Sequence, residues 1–395
     1  MRALHLFSNI NLTVQAECAL DLCAALRNRG HEILFACGKF YEGQRSVIQE
    51  RAFQLGLDAV TDFNLRKYLN IADNLRDIPA LTKFIIEEKV QIVHAHLLND
   101  HIVGGYAARN VGVPVVRTVH GLGRLWQRLR TKHLTRGLTD AVIVASEWHK
   151  KKATRLFDSL PERVWLIEPA VDLERFSPER ALPDKRKELG LDEGDFVVGI
   201  TAWIPAGHRF AIFLRGVKLT LEKYPHTKAL IISRAGHRDD AAFEATRRLG
   251  LQETVVFSEC EKADDYPALL KALDVEVFLT PGLDETCRSI REAFASGRPV
   301  IRADRGIIPQ IIDNEVNGYV LKDTPEKIAD AAVRLARNRN LLEQFSCNAL
   351  AKAREKYDLK NYAAEVEKIY ELLLSSGKGN GSTPSPASDL TNVPL

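Results

Sequence analysis

Apolar runs of strand length recur along the chain, and between them lie longer stretches whose apolar residues return every three or four positions. Arg2 to Ser8 reads as a first strand, and Gln15 to Arg29 as a helix with Ala16, Ala19, Leu20, Leu22, Cys23 and Leu26 on its apolar face. Gly30 and His31 close that helix, and Glu32 to Ala36 forms a second strand. The alternation continues with strands over Val90–Ala95, Val113–Val119 and Ala141–Ala145, the first two separated by a helix over Asp100–Asn110. It begins again with a strand over Phe196–Thr201, a helix over Arg209–Glu222, and strands at Lys228–Ser233, Thr254–Phe257, Val275–Leu279 and Val300–Ala303. Strands this largely apolar suit a parallel sheet buried on both faces, so the pattern predicts doubly wound α/β units. Helices over Pro325–Arg337, Asn340–Tyr357 and Leu359–Leu374 follow, and the Ser-, Gly- and Pro-rich residues 375–395 are expected to be disordered.

Composition narrows this picture without redirecting it. A chain of 395 residues exceeds one hydrophobic core, which favours two domains. With 45% hydrophobic and 27% charged residues it reads as a soluble globular protein. No stretch reaches the roughly 18 consecutive apolar residues that span a bilayer, and MRALHLFSNINL reads as a first strand with no signal peptide. Six cysteines (18, 23, 37, 260, 287, 347) without paired or metal-ligand spacing fit a reducing cytoplasm. A net charge of +3 gives no argument for nucleic acid.

The densest chemistry lies in residues 272–301, where the strand over Val275–Leu279 is broken by Pro281 and Gly282 and followed by a helix from Arg288 to Ser296. Asp284 stands in the turn and Glu292 inside the helix, while Gly297 and Pro299 end it. Ligands of open α/β sheets collect at the strands' carboxyl edge, where amides of a helix start hold phosphate. This turn therefore reads as a nucleotide site. The simpler alternative is that Asp284 and Glu285 only cap the helix.

Asp284-Glu-Thr-Cys-Arg-Ser-Ile-Arg-Glu292-Ala-Phe-Ala-Ser-Gly-Arg-Pro-Val resembles the acidic-x7-acidic motif of the family-4 glycosyltransferases of the GT-B fold. The resemblance extends over residues 1–374 and implies two Rossmann-like doubly wound domains facing a cleft. It implies that Asp284 contacts the donor sugar, that Glu292 binds the nucleotide ribose, and that backbone amides between them, among them those of Ser289 and Ile290, hold the diphosphate. Arg288 offers a cation beside the phosphates. IVHAHLL and VVRTVHGL also resemble family motifs and make His120 the first-domain catalytic candidate, with His94 and His96 behind it. A structural role for His94 and His96 is the alternative, and two histidines without a third ligand make a weak case for zinc. The loop after the first strand lacks the family's Gly-Gly pair, so acceptor or phosphate contacts fall to Asn9, Asn11 and Thr13.

The sequence departs from the family where the donor diphosphate is held. Trp203 and Ala206 stand where Arg and Lys are usual, at about 1.5–3 kcal/mol for each charged hydrogen bond lost. Arg209, Arg234, His208 and Arg288 are the candidates to compensate. Gln310 replaces an acid of the usual Gly-x-x-Pro-Glu turn. VWLIEPAVDLERFSP (164–178) resembles the crossover segment between domains. The expected layout is an acceptor-side domain over 1–170, a linker over 171–192 and a nucleotide-sugar domain over 193–357. The helix over 358–374 then crosses back to the first domain.

Arg124 to Arg155 is the most basic region and carries Trp126 and Trp148. It suits either an anionic membrane surface, on the inner face of the cytoplasmic membrane, or a solvated helix face. The resemblance implies a retaining, metal-independent glycosyltransferase of lipopolysaccharide or envelope-glycan synthesis. Its partners would be a nucleotide-sugar donor as substrate and a glycan or lipid-linked acceptor, with no cofactor and no nucleic acid. Two other readings stay open: a catalytically degenerate binding or scaffold protein, and a nucleotide-sugar epimerase of the same architecture.

Overall fold

A computed structural model describes residues 1–40, 46–120, 137–157, 161–202, 207–233, 240–260, 264–279, 287–304 and 311–376, with backbone alone at 156–157, 161, 202 and 207–209. The first half runs β1 (Arg2–Phe7), α1 (Val14–Asn28), β2 (Glu32–Cys37), α2 (Val47–Gln54), β3 (Ala59–Val60) and α3 (Ile71–Glu87). It continues β4 (Ile92–Ala95), α4 (Leu98–Arg109), β5 (Val115–Val119), β6 (Ala141–Val144), α5 (Glu147–Phe157) and β7 (Val164–Leu166). The short α6 (Lys185–Glu188) precedes β8 (Phe196–Ala202), α7 (Gly207–Lys223), β9 (Thr227–Ser233), α8 (Asp240–Leu249) and β10 (Val255–Glu259). Then come α9 (Asp265–Ala272), β11 (Val275–Phe278), α10 (Arg288–Ala295), β12 (Val300–Ala303), β13 (Gly318–Leu321), α11 (Pro325–Arg337), α12 (Arg339–Lys356) and α13 (Leu359–Ser376).

The strands form two parallel sheets, in the orders β3-β2-β1-β4-β5-β6-β7 and β10-β9-β8-β11-β12-β13. In each, the order reverses beside the central strand, between β1 and β4 and between β8 and β11, so each half is doubly wound as the apolar pattern predicts. Ligand crevices open at such reversal points, outside the carboxyl ends of the strands. β4, β5, β6, β11 and β12 are buried along their whole length, which explains why their sequences are mostly apolar on both faces, with His94, Arg117, Thr118, Glu276 and Arg302 as buried polar exceptions.

The last helix belongs to the packing of the first half. Val366, Ile369 and Tyr370 of α13 share a buried cluster with Leu22, Ala25 and Leu26 of α1, and Glu367 accepts from Arg29 and His31. Gly297 ends α10 with φ of 67°, a left-handed position that a Cβ would strain. No helix among the described residues is long and apolar enough to cross a membrane.

Candidate functional site

The loop after β1 is held from within. The buried Asn9 carboxamide oxygen accepts from the amides of Ile10 and Asn11, and its backbone carbonyl accepts from Gly38. Thr13 is the N-cap of α1, its hydroxyl accepting from Ala16. Of the three side chains expected to meet acceptor or phosphate, Asn11 is the exposed one. Asp100, in the first turn of α4, accepts from the amides of Ser8 and Leu97 and so ties the loops after β1 and β4 together. Burial pushes its carboxyl up to about 7, against those hydrogen bonds.

His94 and His96 do share one face, as their spacing suggests, and the register of β1 with β4 sets His5 beside them. His5 Nδ1 lies 3.1 Å from His96 Nε2, and the half-buried His120 follows, with Nε2 3.4 Å from His96 Nδ1. His94 meets the Tyr370 hydroxyl at 2.5 Å and Thr118 at 2.8 Å. Burial lowers the His5 pKa to about 3 and those of His94 and His96 well below the usual value, so all three are neutral. Nitrogens of His5, His94 and His96 lie within 4.8 Å of one another, which raises the question of a metal. The His94 and His96 rings stack at 4.6 Å with 12° between planes. In-plane lone pairs on near-parallel rings do not converge on an ion at the usual 2.0–2.1 Å, and both His94 nitrogens are engaged by Tyr370 and Thr118. The trio fits a hydrogen-bonded cluster better than a metal site.

Arg288 opens α10, whose N-cap is Cys287, and the expected caps Asp284 and Glu285 lie outside the described residues. Its guanidinium, which lines the pocket described below, lies among carboxylates, 2.6 Å from Asp21, 2.8 Å from Glu292 and 3.7 Å from Glu17. Burial opposes its charge, but Asp21, Cys18, Glu292 and Glu17 outweigh that and push its pKa up. Glu292 is fully buried in this cluster, and Ile290 and Ser289 are buried on the same helix. Glu17 and Asp21 stand one helical turn apart on α1, so the cluster ties the two halves together. Neither was singled out from sequence, although two acids on an otherwise apolar helix face are a readable signal.

These elements meet at one pocket. Among the described residues it is lined by Cys18 of α1, Thr118 and His120 at the end of β5, Pro169, Arg288 of α10 and Tyr362 of α13. His120 and Arg288 are thus brought to a common space from opposite halves. Asp284, Arg234, Trp203, Ala206 and Gln310 lie outside the described residues, as does the Arg209 side chain in the first turn of α7. Of the basic region, Arg124 to Arg136 also lies outside. On α5, Trp148 is 42% exposed with the Lys152 ammonium 4.6 Å from its ring centroid, and Lys151 and Arg155 are exposed.

Comparison with known proteins gives the same frame. Residues 15–175 match the family described as Glycosyltransferase Family 4, and residues 196–338 match Glycosyl transferases group 1. An uncharacterized glycosyltransferase of Methanocaldococcus jannaschii is 24% identical over 73% of this chain and 76% of its own length. The UDP-Gal:α-D-GlcNAc-diphosphoundecaprenol α-1,3-galactosyltransferase of Escherichia coli is 26% identical over 78% of this chain and 82% of its own. Among solved structures, Anabaena HepE in complex with UDP and glucose superposes with a TM-score of 0.75 at 19% identity, covering 94% of this chain and all of that one.

Proposed function

The chain belongs to the family-4 glycosyltransferases of the GT-B fold, and on that premise we propose that it moves a sugar from a nucleotide-sugar donor to a glycan or lipid-linked acceptor with retention of configuration. The observation that carries this reading is the pocket that His120 and Arg288 line from opposite domains. The bond between the anomeric carbon and the diphosphate oxygen breaks while the acceptor hydroxyl bonds to the same face of that carbon. The acceptor's proton leaves with the departing phosphate oxygen. His120 hydrogen-bonds the sugar, Asp284 contacts it, and first-turn amides of α10, which a helix leaves without intrahelical partners, meet the diphosphate. A carboxylate has about four lone-pair sites, so Glu292 can accept from ribose hydroxyls while Arg288 orients it. Arg209 and Arg234 supply the cations that Trp203 and Ala206 do not.

The nucleotide sugar is a substrate, and no resident cofactor is assigned. Metal independence is supported by the sequence, which places no Asp-x-Asp at a strand end. The acceptor named for the E. coli relative supports a lipid-linked acceptor here, in envelope-glycan or lipopolysaccharide synthesis. Lys150, Lys151, Lys152 and Arg155 beside Trp148 would then meet the anionic inner face of the cytoplasmic membrane. One observation favours a non-catalytic binding protein as the second reading: Arg288 is already paired with carboxylates.

The test incubates the purified chain with UDP-, GDP- and ADP-sugars and a membrane lipid extract, with and without EDTA, and determines the anomeric configuration of the product by NMR. Transfer with the donor's configuration retained and indifferent to EDTA is expected. Nucleotide binding without transfer would leave the binding-protein reading, and an isomerised sugar from donor alone would make the chain an epimerase.

A further inference from the structure

Tyr370, near the end of α13, is linked to His120 by an unbroken series of short contacts. Its hydroxyl lies 3.1 Å from His5 Nε2, His5 Nδ1 lies 3.1 Å from His96 Nε2, and His96 Nδ1 lies 3.4 Å from His120 Nε2. On its other side the hydroxyl lies 2.5 Å from His94 Nδ1, and His94 Nε2 lies 2.8 Å from Thr118 Oγ1. A neutral imidazole has one donor nitrogen and one acceptor nitrogen. The direction of a single hydrogen bond therefore fixes all the others.

Tyrosine has one hydroxyl proton to give. Hydrogen bonds donated by O–H are shorter than those donated by N–H, so the 2.5 Å contact is Tyr370 donating to His94 and the 3.1 Å contact is His5 donating to Tyr370. His94 then donates from Nε2 to Thr118. His5 carries its lone pair on Nδ1, which accepts from His96 Nε2–H, and His96 Nδ1 in turn accepts from His120 Nε2–H.

We propose that Tyr370 is a positioning residue that, through His5 and His96, holds His120 in its Nε2–H form with Nδ1 as the acceptor nitrogen. An acceptor nitrogen takes a hydrogen bond from a sugar or acceptor hydroxyl, which the opposite tautomer would refuse. Burial keeps each link in the form this requires: it lowers the pKa of His5, His94 and His96 and raises that of the Tyr370 hydroxyl. Docking of the last helix on the first domain thereby reaches the chemistry of the pocket. The inference rests on the proposed function only in setting His120 beside the sugar.

The test is long-range ¹H–¹⁵N NMR of the full chain labelled with ¹⁵N-histidine, with His120 assigned by the signal lost in His120→Gln. All four histidines are expected in the Nε2–H form. Tyr370→Phe removes the hydroxyl that fixes the direction, and the single tautomer at His120 is expected to be lost while far-UV circular dichroism is retained. A His120 found as Nδ1–H in the native chain, or one unchanged in a folded Tyr370→Phe variant, overturns the proposal. Should that variant not fold, the native spectrum alone decides. A chain that transfers no sugar would still show or fail to show this tautomer, so the two readings fail separately.

Discussion

Arg288 Nη2 of α10 lies 2.6 Å from Asp21 Oδ2 of α1, both nearly fully buried, so a cation of the second domain is neutralised by a carboxylate of the first. Ion pairs at this depth contribute little net stability when intact but are costly to break from one side. Arg288→Ala leaves Asp21, Glu17 and Glu292 facing one another without their shared cation. The expected loss is about 3–5 kcal/mol in urea unfolding. A change within about 0.5 kcal/mol, the range of ordinary surface substitutions, would mean the cluster does not hold the domains together.

Burial of neutral histidines sets the response to acid. His5, His94, His96 and His101 all have pKa values lowered by burial, that of His5 to about 3. In the unfolded chain they protonate near 6.5, so between that value and the folded values the unfolded state binds more protons. Stability therefore falls as pH drops below about 6.5, by up to about 1.4 kcal/mol per pH unit for each histidine, offset in part by Asp100, whose carboxyl, raised to about 7, stabilises the fold as it protonates. Urea midpoints at pH 7.5 and 5.5 check this, and equal midpoints would mean that these side chains are charged or solvated in the fold.

His120 is half-buried at the pocket and makes its shared contact through His96. The contact to the transferred sugar proposed for it would act on turnover more than on nucleotide affinity. His120→Asn is expected to lower kcat about 10–100-fold, the loss of one strong hydrogen bond, with the affinity for free nucleoside diphosphate within about twofold. Full turnover in that variant would remove His120 from the site.

Trp148 and the basic face of α5 give the membrane proposal a direct check. Charge reversal at Lys150 and Lys151 is expected to weaken sedimentation with anionic vesicles, at about 1 kcal/mol for each lysine near the surface. Neutral vesicles should bind no better than the variant does. Equal binding to both vesicle types in the native chain would leave α5 as a solvated helix.

Most of the strands were legible in the sequence because parallel strands buried on both faces leave a largely apolar run, while the short β3 and β7 were not read. The helix from Arg288 was equally legible, since Gly297 marks its end by a backbone angle only glycine adopts easily. The elements between β2 and β4 were not read, and α3 shows why. In its first half Ile71 and Leu75 are exposed while Asp73, Asn74 and Asp77 are buried, and Pro79 lies within it, so only its second half, with Leu81 and Ile85, shows a core-facing apolar period. At the site, the motif located Arg288 and Glu292 but not their surroundings. Glu17 and Asp21 are more than 260 positions from Arg288, as the separation of 267 between Asp21 and Arg288 shows, and helix periodicity does not say which domain an acid will face. The same holds for Tyr370, which lies 365 positions from His5 and becomes its neighbour only when α13 crosses to the first domain.

The proposed nucleotide-sugar site, with Glu292 buried behind the pocket-lining Arg288 as the ribose acceptor, is tested most directly by calorimetric titration with UDP, GDP and ADP. Glu292→Gln keeps the side chain's shape and an oxygen for Arg288 while removing the charge. One nucleoside diphosphate is expected to bind the native chain, and about tenfold or more weaker to the variant, as for loss of one charged hydrogen bond. Binding of none of the three, or equal affinity in the two proteins, would contradict the account.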